Sequence, residues 1–320
     1  MTRDNEVVRV QEFRDFLAGE GFAASDAELP DSPKRFPDGA QYRVEIPSVE
    51  GPEVLAAVLE EADARGVLVH RVSQGSGGML TTSSELREMA ALGRGRGIEV
   101  SLFARPLTGW GLSTAMSASG AGALAAQARG IEQVVHNLAD MARSARAGFR
   151  SVLLTDLGVL DIANRARSHG LLPADLQFKI SVQMGLSNPP AVRLAATLGA
   201  NTYNVPTDLT LGQLAAIRQA VDIPLDVYVE SPDDQGGLVR HFEIAEFVRV
   251  AAPVYLKFGL RNSPGIYPSG THLTPVAVAL GRERVRRAEI GLELLAGLMP
   301  DAKCSTLPAA DLGVPVEASR

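Results

Sequence analysis

Residues 178–231 read FKISVQMGLSNPPAVRLAATLGANTYNVPTDLTLGQLAAIRQAVDIPLDVYVES, in which short β-branched runs alternate with stretches of helical period. The runs at 178–185, 200–207 and 224–231 predict strands, and the Ala- and Leu-rich stretches between them predict helices. A helix between two strands carries the chain back to the same end of the sheet, so the strands pair in parallel. The stretch therefore predicts consecutive strand–helix units.

The same alternation continues on both sides of this stretch. Five further runs predict strands: QYRVEIPS (41–48), VLVHRVSQ (67–74), IEVSLFARP (98–106), SVLLTDLG (151–158) and PVYLKFGL (253–260). Eight such units predict an α/β fold, a closed (β/α)8 TIM barrel. An open doubly wound sheet is the alternative, but no GxGxxG follows the first strand and no linker to a second domain is evident.

The barrel is expected over residues 38–298. Residues 1–37 are expected to form an N-terminal extension with a helix from Val7 to Leu17, either a cap on the barrel bottom or a dimer arm. Residues 299–320 are rich in Pro and Ala and are expected to form a flexible tail. The Gly-, Ala- and Ser-rich region from Leu107 to Gly130, with Trp110, is long for a loop after a strand. It is interpreted as a lid over the site or as a helix at an oligomer interface.

Composition restricts the function classes. The chain has 320 residues, 46% of them hydrophobic, a formal net charge of −6 and a pI near 5.5. Nucleic acid and membranes are therefore not the expected partners, and a small-molecule substrate is. The single cysteine, Cys304, cannot supply an iron–sulfur cluster. No secretory segment is evident, so a cytoplasmic location is expected, and a homodimer is a possible assembly.

Alternation within the strands predicts charged groups on the barrel axis, because residues two apart share a face of a strand. The polar faces hold these residues: Arg43 and Glu45; Lys179, Ser181 and Gln183; Asp226, Tyr228 and Glu230; Tyr255 and Lys257. A buried charge is costly unless it is paired. Arg43, Lys179 and Asp226 come early in their strands, so one interpretation is that they form salt bridges near the barrel bottom.

Residues late in their strands are candidates for chemistry, because TIM-barrel sites lie at the carboxyl ends of the strands. Three carboxylates, Glu45, Asp156 and Glu230, are candidate catalytic bases, and Lys257 is a candidate acid, electrophile or Schiff-base former. Candidate substrate-binding residues are Arg71, Gln74, Arg105, Lys179, Gln183, Asn204, Arg261, Ser269 and His272. The arginines suit a carboxylate or a phosphate.

A cofactor is not identified by the sequence. A divalent metal held by a subset of Glu45, His70, Asp156, Gln183 and Glu230 is one interpretation. His70 and Arg71 are adjacent, so only one of the two can face the axis.

The stretch from Gln41 to Gly259 resembles the barrel of the peptidase U32 family. The likeness is carried by residues 178–231, where a strand is followed by an Asn-containing helix start, then LGA and a strand, a TL helix opening, and the strand DIPLDVYVE. The resemblance implies a TIM barrel and, by the family's name, a peptidase or collagenase-like hydrolase.

The chain departs from the family after the seventh strand. The family's Gly-Ala-x-Cys run and further cysteines are absent, and the chain reads ESPDDQGGLVRHFEI there. Members that use clustered cysteines hold an iron–sulfur centre, which one cysteine cannot form. No nucleophile–base motif of a protease is recognisable either. The chain is therefore interpreted as a divergent branch.

Three functions follow as hypotheses. The first is an enzyme that acts on a small anionic metabolite by acid/base chemistry, of lyase or isomerase type. The second is a U32-type peptide hydrolase. The third is a non-catalytic binding or assembly protein, in which the inward charges pair only among themselves.

Overall fold

The computed structural model describes residues 3–27, 29–105 and 127–318. Eight parallel strands in these residues close into a barrel in chain order, β1 pairing with β8. The strands are β1 (Tyr42–Pro47), β2 (Arg71–Ser73), β3 (Glu99–Phe103), β4 (Ser151–Leu154), β5 (Gln177–Ile180), β6 (Thr202–Asn204), β7 (Leu225–Glu230) and β8 (Val254–Phe258). The predicted (β/α)8 TIM barrel is thus confirmed. The interpreted lid or interface at 107–130 lies largely outside the described residues.

Helices surround the barrel. They are α1 (Arg3–Gly19), α2 (Pro52–Arg65), α3 (Ser83–Arg96), α4 (Gly130–Arg146), α5 (Leu157–Ser168), α6 (Pro189–Thr197), α7 (Leu211–Ala220), α8 (Ile244–Ala251) and α9 (Thr274–Leu298). None of them, in the part of the chain that the structure describes, is both long and apolar enough to cross a membrane.

The apolar core lies between strands and helices. Val44 and Ile46 of β1 are fully buried on the outward face of the strand. α2 and α9 pack closely, since a Cβ on Gly281 would lie 2.9 Å from Val58 and 3.4 Å from Val54. The apolar outward face leaves the polar face of each strand on the axis, as the alternation predicts.

Local sequence sets where the helices begin. Thr82 and Thr210 each form a capping box, with Glu85 and Gln213 respectively. The side chain of Asn188 accepts a hydrogen bond from the Ala191 N–H, and Pro189 follows as the first helical residue. These caps fix where α3, α6 and α7 begin after β2, β5 and β6.

The segment before β1 packs against the barrel bottom. Phe36 meets Tyr255 edge-on, with ring centroids 5.5 Å apart, and the Arg43 guanidinium lies 3.9 Å from the Phe36 ring. The backbone of Ser32 bonds to Arg249 of α8.

Residues 300–318 do not fit the expectation of a flexible tail. They run across the barrel bottom, where Asp311 accepts a hydrogen bond from Arg43 at 2.6 Å and the Ser305 hydroxyl accepts another at 2.9 Å. Leu312 is buried, and the Val316 N–H bonds to the Gly148 carbonyl at 2.8 Å. The tail packs here because Arg43, which is 1% exposed, needs a counter-charge, and Asp311 of the tail supplies it.

Candidate active site

Glu45 lies at the centre of the barrel and binds three cations. The strand register places it beside Arg71 of β2 and Lys257 of β8. Its carboxylate accepts from Arg71 Nε at 2.8 Å, lies 3.2 Å from Lys257 Nζ, and is also bound by Lys179 Nζ. The Ser73 hydroxyl donates to it at 2.7 Å.

Asp226 completes this layer from β7. Its carboxylate lies 2.6 Å from Arg71 and 3.0 Å from Lys179 Nζ. Arg71 also lies 3.6 Å from Glu99 of β3, which sequence reasoning missed. The ion-paired layer is defined as Glu45, Arg71, Lys179, Asp226 and Glu99. All five of these residues are buried.

Charge, rather than burial, decides the protonation of Glu45. Burial alone would raise the pKa of its carboxyl, but Arg71, Lys179 and Lys257 hold that pKa well below the ordinary value. Burial lowers the pKa of Lys179 to about 8, with the nearby Arg71 charge acting in the same direction. Glu45 is therefore ionised at neutral pH, engaged by its partners and unsuited to act as a base.

A cavity of about 120 Å³ lies above this layer, at the carboxyl ends of the strands. Lys257 and Asn204 form part of its floor, and Lys257 Nζ donates to Asn204 Oδ1 at 2.6 Å. The same Nζ lies 4.6 Å from the centre of the Tyr228 ring. Lys257 thus joins the ion-paired layer to the cavity.

Predicted binding residues form the cavity wall. Gln74, Arg105 and Gln183 all line it, and Arg105 lies 3.5 Å from Gln183 Oε1. Gln74 is held by the backbone of Gly77, to which it donates and from which it accepts. Burial lowers the pKa of Arg105, which nonetheless keeps its charge at neutral pH. The wall therefore presents a cation with amide groups beside it.

Asp234 lines the same cavity and was not predicted. It lies on a 3-10 turn after β7, Asp233–Gln235, and burial raises the pKa of its carboxyl. A carboxyl group that lines the cavity can act as a general acid or base toward a molecule bound there. No strand alternation covers this turn, so the only signal was the Asp-Asp pair following the strand.

Loops after β1, β2 and β8 meet at the rim of the cavity. Tyr267 donates to Ser48 at 2.5 Å, and Ser48 has a positive φ of 61°. The Tyr267 ring covers Gly75 so closely that a Cβ there would lie 2.6 Å away. Ser269 N–H donates to Ser76 and lines a neighbouring cavity of about 70 Å³ rather than the main one.

Besides Ser269, four predicted residues lie neither on the cavity lining nor in the ion-paired layer. A register shift between Tyr228 and Glu230 turns Glu230 from the axis, and it accepts from the Arg261 N–H at 2.9 Å and pairs with His241. Asp156 caps α5 by accepting from the Val159 N–H. Arg261 and His272 are exposed and do not line the cavity.

The described residues provide no cluster of ligands for the divalent metal considered from the sequence. Among residues 3–27, 29–105 and 127–318, no three His, Cys, Asp or Glu side chains are grouped as metal ligands. His70 Nδ1 accepts from the Val44 N–H at 3.1 Å, and Nε2 lies 2.9 Å from the Ser305 carbonyl, so both ring nitrogens are engaged by the backbone. Cys304 lies at the barrel bottom, where burial raises the pKa of its thiol to about 11.

Comparison with known proteins supports the predicted family resemblance. The sequence profile of peptidase family U32 matches residues 123–231, which include the stretch that carries the likeness. No curated protein matches the chain.

Several solved structures are similar in fold. A U32 peptidase is 15% identical with a TM-score of 0.40, over 62% of this chain and 73% of its own. A truncated 3-deoxy-D-arabino-heptulosonate 7-phosphate synthase from Thermotoga maritima is 13% identical with a TM-score of 0.44, over 83% and 91%. A ribulose-1,5-bisphosphate carboxylase/oxygenase from Pyrococcus horikoshii is 12% identical with a TM-score of 0.43, over 91% and 66%.

Proposed function

We propose that this chain is an enzyme that binds a small anionic metabolite in the cavity above the ion-paired layer and moves a proton on it. The observation that carries the proposal is the position of Lys257. Arg71 and Lys179 are engaged below by Glu45 and Asp226, whereas Lys257 also lines the cavity. A cation that lines a cavity attracts an anion more strongly than an exposed cation does, because the surrounding protein screens the charge less than bulk water.

The cavity wall supplies the other parts of acid/base chemistry. Arg105 suits a carboxylate or phosphate, since a guanidinium donates two parallel hydrogen bonds to either group. Asp234 and Lys257 are the proton-transfer pair in this proposal, in place of Glu45 and Glu230. Proton movement next to a carbonyl fits a lyase or an isomerase. The cavity volume suits a small molecule better than an extended peptide.

Ligand binding tests the first half of the proposal. Pyruvate, lactate and inorganic phosphate are added separately while the melting temperature is recorded. We expect at least one anion to raise it, and Arg105→Gln to weaken that binding by roughly tenfold or more. Arg286→Gln, on the exposed side of α9, is the matched control and should bind as the wild type does. If no anion raises the melting temperature, or if both variants bind alike, the proposal is wrong.

Proton transfer tests the second half. The protein is incubated in D2O with pyruvate, and exchange of the methyl C–H next to its keto group is followed by NMR. Asp234→Asn and Lys257→Ala should each slow exchange by about a hundredfold or more. Lys303→Arg, at an exposed position, should not. Binding without any exchange would support a binding protein instead of an enzyme.

A further inference from the structure

Lysine is rare in this chain. The sequence has 27 arginines and four lysines, Lys34, Lys179, Lys257 and Lys303. Two of the four lie side by side on the barrel axis and bind one carboxylate, that of Glu45. Arginine would serve for an ion pair, but only lysine can lose its proton and add to a carbon atom. The choice of lysine on the axis therefore indicates amine chemistry.

The two axial lysines differ in access. Lys179 is enclosed by the ion-paired layer, whereas Lys257 lines the cavity. Lys257 Nζ has two acceptors, Asn204 Oδ1 at 2.6 Å and Glu45 Oε1 at 3.2 Å. A neutral amine has two N–H groups and one lone pair, so two acceptors hold both hydrogens and leave the lone pair free.

The layer below tolerates a neutral amine at this position. When Lys257 carries no charge, Glu45 still has Arg71 at 2.7 Å and Lys179 as cationic partners. Glu45 is then not left as a buried charge without a partner, which would be costly. Loss of the Lys257 proton therefore does not disrupt the interior.

We propose that Lys257 forms an imine with the carbonyl carbon of a small 2-oxo acid whose carboxylate is held by Arg105. This inference rests on the proposed function and names its substrate class. The Nζ lone pair adds to the carbonyl carbon while the C=O π pair moves to oxygen, and proton transfer from nitrogen to that oxygen gives a carbinolamine. The hydroxyl then takes a proton from the protonated Asp234 carboxyl and leaves as water while the nitrogen lone pair forms the C=N bond. Amine, ketone and the Asp234 proton thus give a protonated imine (iminium), water and the Asp234 carboxylate. The iminium withdraws electrons from the neighbouring C–H or C–C bond.

Reductive trapping tests the imine. The full chain is incubated with pyruvate and sodium cyanoborohydride, and the product is mapped by intact-mass and peptide mass spectrometry. We expect one reduced pyruvate per chain, on Lys257. Acetone, which has the carbonyl without the carboxylate, should label at least about tenfold more slowly, because Arg105 cannot hold it. Lactate, which has the carboxylate without the carbonyl, should form no adduct and should slow labelling by pyruvate.

Two lysine variants provide a further test of the imine. Lys257→Arg keeps the charge and should abolish the adduct, whereas Lys303→Arg should leave it unchanged. The site mapping in the wild-type chain needs no variant, so it remains decisive if Lys257→Arg fails to fold. Labelling spread over Lys34 and Lys303 in proportion to their exposure would overturn the inference. Binding of pyruvate and lactate through Arg105 without any adduct would overturn the imine and leave the proposed function standing. Absence of both binding and adduct would overturn both.

Discussion

Glu45 is the residue whose charge the barrel interior depends on, because it faces Arg71, Lys179 and Lys257 together. Glu45→Gln keeps the shape of the side chain and removes the charge, which leaves three buried cations with too little negative charge. We expect the free energy of unfolding to fall by about 3–5 kcal/mol, measured by urea denaturation at pH 7.

An exposed ion pair provides the matched control for that substitution. Asp63 pairs with Arg96 at the surface, with the Asp63 side chain 59% exposed. Asp63→Asn should lower the free energy of unfolding by less than about 1 kcal/mol. Equal losses in the two variants would contradict a special role for the interior layer.

His70 makes stability depend on pH. Burial lowers the pKa of its imidazole from 6.5 to about 4, so the folded chain holds the neutral ring. In the unfolded chain the ring gains a proton as the pH falls below about 6.5, which favours unfolding. The stabilising contribution is thus complete above pH 6.5 and is lost as the pH falls towards 4.

The His70 dependence is measured against a variant. His70→Gln removes the titrating group, so the difference in free energy of unfolding between wild type and variant should shrink between pH 7 and pH 4.5. The difference isolates this ring from the many carboxylates that also respond to acid. A difference that stays constant over this range would show that the ring does not titrate as described.

At the scale of the elements, Asn188 is the N-cap residue at which helix α6 begins. Its side chain accepts from the Ala191 N–H at 3.0 Å and caps α6. We expect Asn188→Ala to lower the free energy of unfolding by about 1 kcal/mol, and Asn188→Asp, which keeps the acceptor, to restore most of it. Thermal or urea unfolding checks both. A loss in Asn188→Asp as large as in the alanine variant would exclude capping as the cause.

The elements also show what the sequence could and could not predict. Alternation in β1, β5 and β8 correctly predicted that Glu45, Lys179 and Lys257 face the axis, because a regular strand keeps its period of two. The same rule fails for Glu230, since the register shift after Tyr228 breaks the period. Nothing in the residue types VYVE marks that shift.

Residues beyond the strand ends were the least predictable part of the site. Asp234 and Tyr267 line the cavity from loops, and loop positions depend on contacts between segments far apart in sequence. Gln74, Arg105, Gln183 and Asn204 also line the cavity, and their position was predictable because each closely follows or ends a strand. The sequence thus predicted the end of the barrel at which the cavity lies better than it predicted the residues that line it.

At the scale of the whole molecule, the tail holds the barrel bottom closed. A chain that ends at Met299 lacks Asp311, Ser305 and the backbone partner of Gly148. We expect it to melt at least several degrees lower or to fail to fold, because Arg43 then stays buried without its partner. A chain that ends at Glu317 keeps these contacts and should melt as the full chain does. Equal melting of the two truncated chains would show that the tail adds no stability.

The closed bottom also has a consequence for how the protein is made. Arg43 in the first strand bonds Ser305, which follows 262 residues later, and β1 completes its pairing only with β8. The ribosome releases the chain from its amino end, so β1 leaves the exit tunnel long before either partner exists. An open strand edge is prone to associate with other chains. One edge of β1 therefore stays unpaired until β8 has been synthesised, and the barrel cannot close before that.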